Sequence, residues 1–211
     1  MRTLKMNAAT QSPATAKLSE FDFICVVDAS GSMDDVVKAG SGRTRWQAVQ
    51  ESAEQFARDV GKFDSDGIDV VIFSGSAVTS HTGVTADKVK EVFATRSPRG
   101  STPLAQALTE ALKLAGKSDK KDFIVVFTDG VPDDKHAAAE VIRNAANAQE
   151  TDDALTILFV QVGDAREATA YLQELDDNLK GAKFDIVDAK TVDEVDAFAS
   201  TTDLILAAID G

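Results

Sequence analysis

Residues 21–32 read Phe-Asp-Phe-Ile-Cys-Val-Val-Asp-Ala-Ser-Gly-Ser. From Phe23 to Val27 every side chain is apolar, and Ile24, Val26 and Val27 are β-branched. An unbroken run of this kind is the pattern of a central parallel strand buried on both faces, whereas a half-exposed strand alternates. The run ends abruptly in Asp28, Ser30, Gly31 and Ser32, which are turn and polar residues. In sheets covered by helices on both sides, ligands bind beyond the carboxyl ends of the strands, where the strand order reverses. The fold and the place to search for function therefore come from the same twelve residues.

Working outward, strands and helices alternate. Thr44 to Val60 places Trp46, Val49, Ala53, Phe56 and Val60 at helical spacing, with Gly61 as a stop. Gly67 to Phe73 reads as a strand, followed after Ser74-Gly75 by a short edge strand over 76–80. A short helix is expected over 86–94, and Pro103 opens a longer one running to Ala115. Phe123 to Thr128 is a second buried strand. Then come a helix over 134–149, a strand over 156–162, a helix over 165–179, a short strand over 184–187 and a last helix over 191–209. Such alternation implies an α/β fold with a doubly wound, mostly parallel sheet. There is no internal repeat, so one domain is expected over 20–211. Residues 1–19 lack periodicity and carry Arg2, Lys5 and Lys17 with no acid, which reads as an irregular basic N-terminal arm.

Composition narrows the function. The 211 residues are 44% hydrophobic and 27% charged, the balance of a globular domain. The longest apolar runs fall far short of the roughly 20 residues of a membrane helix, and no secretory h-region precedes the domain. A cytoplasmic location, or one within a phage or other intracellular assembly, is the expectation. A lone cysteine, Cys25, excludes an internal disulfide and a multi-Cys zinc site, and two histidines leave little for a His cluster. The net charge of −13 argues against nucleic acid or an anionic membrane as partner. It is unevenly spread: residues 1–118 sum to zero, and the whole excess lies in 119–211.

Three loops should meet at the carboxyl edge of the sheet. They carry Asp28, Ser30 and Ser32; Thr102, in Arg-Gly-Ser-Thr-Pro (99–103); and Asp129, in Thr-Asp-Gly (128–130). Two carboxylates and three hydroxyls are hard oxygen donors of the kind Mg²⁺ or Mn²⁺ prefers. Two aspartates balance a divalent charge. If they act largely through water while the hydroxyls bind directly, the ion stays electrophilic, with a position open to a carboxylate from another molecule. Ordinary turn chemistry is the competing reading of each residue, but three such turns at one edge disfavour it. Because the ion would be a surface ligand, Asp129→Ala is expected to abolish partner binding and spare the fold. Asp34 and Asp133, beside the motif, and Arg99, near Thr102, are candidate partner-binding residues; helix starts and solvated loops are the alternative for each.

Asp28-x-Ser30-x-Ser32 with Thr102 and Asp129 resembles the metal-ion-dependent adhesion site (MIDAS) of von Willebrand factor type A (VWA) domains, as in integrin I domains. The resemblance covers about residues 20–210. It implies a six-stranded Rossmann-like sheet in the order 3-2-1-4-5-6 with one antiparallel edge strand. It also implies Mg²⁺, with Mn²⁺ or Ca²⁺ as alternatives, held by the three hydroxyls, Asp28 and Asp129, and a protein partner whose carboxylate completes the shell. The stretches 159–163, 172–177 and 181–187 resemble intracellular bacterial or phage members of the family.

The expected function is thus a non-enzymatic, divalent-metal-dependent protein-interaction module. The alternative is a structural subunit of a larger assembly, a virion or filament component, with self-assembly through the same site. A haloacid-dehalogenase-type hydrolase also places an Asp after its first strand, but needs a second Asp two residues on as general acid. Here that position is Ser30, which has no ionisable proton near neutral pH. Neither a GxxxxGK phosphate loop nor a GxSxG elbow occurs.

Overall fold

The computed structural model describes residues 12–38 and 40–211. Six strands form one sheet: β1 (Phe21–Asp28), β2 (Ile68–Ser74), β3 (Ala77–Val84), β4 (Lys121–Thr128), β5 (Leu155–Gln161) and β6 (Val187–Thr191). Their order is β3-β2-β1-β4-β5-β6, all neighbours parallel except β2 with β3. The helices are α1 (Pro13–Leu18), α2 (Arg45–Val60), α3 (Ala86–Ala94), α4 (Leu104–Leu114), α5 (Lys135–Ala148), α6 (Arg166–Asp177), α7 (Val192–Val195) and α8 (Thr201–Asp210).

The apolar runs are continuous because both faces of the sheet are covered. Phe23, Cys25 and Val27 of β1, with Phe123, Val125 and Phe127 of β4, pack on one face beneath α2 and α8. Ile24, Val26, Ile124 and Val126 point the other way, against α4, α5 and α6. The period-2 alternation thus feeds two cores from one strand. Cys25 belongs to the first core, and burial pushes its thiol far above the usual range, which leaves it protonated and inert. No described helix is long and apolar enough to cross a membrane.

Four local expectations need correction. The arm expected to be irregular over 1–19 lies outside the described residues for 1–11, but 13–18 are helical. Ser12 caps α1 through Thr15 N–H, Pro13 occupies its first turn, and Leu18 is fully buried in the first core. Lys17 pairs with Asp210 at the end of α8, so this charge of the arm is matched within the domain. The edge strand after Gly75 extends to Val84 and does not stop at Ser80. The last helix is two, because Thr191 with Glu194 forms one capping box and Ser200 caps a second start, with residues 196–200 between. The preceding strand lies at Val187–Thr191, later than 184–187, where it pairs with β5.

Candidate metal centre

Backbone hydrogen bonds bring the three loops together before any side chain contributes. Ala29 N–H donates to the Phe73 carbonyl at 2.8 Å, Arg99 N–H to Ala29 O at 2.9 Å, and Gly31 N–H to Gly100 O at 3.0 Å. These bonds lay the loop of residues 95–103 along the end of β1. Gly100 has φ +75°, and a Cβ there would come within 3.1 Å of the Gly75 Cα, so the approach of this loop to the β2–β3 turn requires glycine. The third loop joins through Thr102 and Asp133: Thr102 N–H donates to Asp133 Oδ1 and Asp133 N–H to Thr102 O, both at 3.0 Å.

The side chains converge on this frame. Asp28 is fully buried. Its Oδ1 accepts from Ser30 N–H and its Oδ2 from the Thr128 hydroxyl, both at 2.7 Å. Burial pushes its carboxyl up to about 6 against the pull of these bonds, and the nearby Asp129 charge adds to the rise. Asp129 is also buried: Oδ1 accepts from Ser32 Oγ at 2.9 Å and Oδ2 from Arg45 Nη1 at 2.6 Å. Ser30 Oγ and Ser32 Oγ are 3.2 Å apart. Thr102 is buried, one loop away.

All five sequence-selected oxygen residues therefore stand at the carboxyl edge of β1 and β4. Asp28, Ser30, Ser32 and Asp129 lie in direct hydrogen-bonded succession, save that the Asp28 link runs through the Ser30 backbone. Asp34, in the turn Gly31–Asp34, and Arg99 are exposed beside them. Asp133 is exposed as well, but one of its oxygens positions Thr102; Asp134 caps α5 through Ala137 N–H. Among the described residues no group of three or more His, Cys, Asp or Glu gathers as a metal cluster, so any ion here depends on hydroxyls. The hydroxyls fit that role. Two adjacent ligands of an octahedral ion at about 2.0–2.1 Å lie roughly 3 Å apart, close to the Ser30–Ser32 separation.

Arg45 escaped the sequence reading. The Thr44–Gln47 capping box places it at the first helical position of α2, where a positive charge opposes the helix dipole. That mismatch was the available signal: a cation at a helix start calls for a nearby anion, and here the anion is Asp129.

Comparison with known proteins agrees with this architecture. The family model described as von Willebrand factor type A domain matches residues 23–131, a span that includes all five oxygen residues. No curated protein matches the chain. Among solved structures, the D319A mutant of the PilB minor pilin from Streptococcus sanguinis aligns with TM-score 0.60 and 14% identity over 90% of this chain and 59% of that one. Manganese-loaded Plasmodium vivax TRAP protein aligns with TM-score 0.55 and 18% identity over 84% of this chain and 71% of that one. The SpRpn10 VWA domain aligns with TM-score 0.54 and 12% identity over 88% and 93% of the two chains. The chain thus spans about three fifths of the pilin, and at these identities the likeness is one of fold. The matched segment, the strand order and the loop arrangement together place this chain in the von Willebrand factor type A domain family.

Proposed function

We propose that the domain is a non-catalytic interaction module that holds one divalent cation, Mg²⁺ by preference, and through it captures an acidic side chain of a protein partner. Ser30, Ser32 and Thr102 would supply hydroxyl oxygens, with Asp28 and Asp129 beside them to balance the charge. The ion's part is to present an electrophilic position to an incoming carboxylate. The observation that carries this reading is the Ser30–Ser32 hydroxyl pair, 3.2 Å apart and anchored on Asp129.

This chain's own residues argue for binding over turnover. Both Asp28 oxygens are engaged, one by Ser30 N–H and one by Thr128, and the side chain is buried, a poor state for a nucleophile. Ser30, where a general acid would be needed, cannot act as one near neutral pH. The manganese in the TRAP structure is consistent with the proposed chemistry.

Calorimetric titration with Mg²⁺ and Mn²⁺ tests the reading. One ion per chain is expected, lost in Ser32→Ala and Thr102→Ala at unchanged fold. Absence of binding up to millimolar concentration in the wild-type chain would refute it.

A further inference from the structure

We propose that Arg45 is a tethered cation that shares Asp129 with the divalent ion, holding the metal-free site together and limiting how tightly the ion binds. The inference rests on the divalent reading above and extends it to a residue outside the matched motif positions.

The guanidinium is fixed from several sides. The Arg45 backbone N–H donates to Asp35 O at 2.9 Å, and Nη1 donates to Asp129 Oδ2 at 2.6 Å and to Ser32 O at 3.2 Å. The Asp35 carboxylate lies 3.7 Å from the same nitrogen. The side chain is 15% exposed, and that of Asp129 is fully buried. Space for it comes from Gly163, after β5: with φ +90°, a Cβ there would lie 2.9 Å from Arg45 Nε. That Nε is buried without a hydrogen-bond partner among the described residues. An orphaned buried N–H is costly, so the pairing with Asp129 must outweigh it.

Charge then dictates two consequences. Without an ion, Arg45 is the counter-charge that Asp129 meets, through Nη1 at 2.6 Å, and the pair ties α2 to the loop after β4. With an ion, Arg45 and the metal compete for one carboxylate and repel each other, which weakens the ion's hold. With Asp35 counted beside Asp28 and Asp129, the loaded site is close to neutral, so the attraction for an anionic partner lies in the ion's own open position.

The test uses the full chain, Mn²⁺ alone as probe, and two readouts: the Mn²⁺ affinity by electron paramagnetic resonance, and the melting temperature in EDTA. R45M should bind Mn²⁺ about tenfold more tightly than wild type or better. It should also melt lower in EDTA, with the gap closing as Mn²⁺ is added. R45K keeps the charge without the planar fork; its affinity should stay within about threefold of wild type, and it decides the matter if R45M does not fold in EDTA. R45M binding no tighter than wild type, or R45K tightening tenfold, overturns the inference while leaving the divalent site standing. Failure of the wild type and both variants to take up millimolar Mn²⁺ removes both readings together.

Discussion

Asp133 and Thr102 exchange two hydrogen bonds of 3.0 Å, one from each backbone N–H, and so tie the loop after β4 to the loop before α4. Thr102 is thus positioned by a residue that the sequence marked for partner contact. Asp133→Ala should lower Mn²⁺ affinity about tenfold while costing only about 1 kcal/mol of stability, the worth of one hydrogen bond. Asp133→Asn, which retains an acceptor, should behave as wild type. Parallel Mn²⁺ titrations and urea midpoints of the two variants check this; equal affinities would show the tie to be dispensable.

Asp129→Ala does more than empty a ligand position. The sequence alone argued that the fold would be spared, but removing this carboxylate strands a nearly buried guanidinium. A destabilisation of about 2–4 kcal/mol is expected in EDTA, in the range found on breaking buried ion pairs. The double variant with Arg45→Met should recover part of it. Urea unfolding of the two single variants and the double one reads the coupling directly.

The pH dependence is set in part far from the site. Asp122, near the start of β4, is 8% exposed and accepts a hydrogen bond from Gly116 N–H at 2.9 Å. Burial raises its carboxyl to about 6, with the Asp22 charge adding to the rise. The folded chain therefore binds more protons than the unfolded one between about pH 4 and 6, and stability falls as pH rises through that window. At pH 7.5 Asp122→Asn should be more stable than wild type by about 1–3 kcal/mol, with the difference vanishing near pH 4. Chemical denaturation at both pH values measures it, and a constant difference would mean that Asp122 does not titrate as described.

Leu18 makes the short α1 part of the domain. It is fully buried in the core that includes Leu204, Ile205 and Ala208 of α8. Leu18→Ala should cost about 2–5 kcal/mol, the usual range for such a truncation in a core. A chain beginning at Glu20 should lose at least as much. Losses in thermal melts of both would place the domain's start before Glu20, with α1 part of it; a shortened chain as stable as wild type would put the start at Glu20.

Much of this protein is legible in its residue order. Continuous apolar runs at Phe23–Val27 and Phe123–Phe127 announce strands covered on both faces, because only a sheet between two helix layers can bury such runs. Turn-forming Asp, Ser and Thr at the ends of those runs select one sheet edge, since strand ends are local features. Helix starts escaped the reading only where a cap was overlooked, as at Ser12-Pro13 and at Ser200. What the sequence by itself determined is which oxygen-bearing residues stand at the carboxyl edge of the sheet. The tertiary structure alone decided their pairing. Arg45 and Asp129 are 84 residues apart, Thr102 and Asp133 are 31 apart, and Arg45 finds its space at Gly163. Such pairings depend on how helices and loops seat across the sheet, a long-range outcome that no local period or propensity encodes.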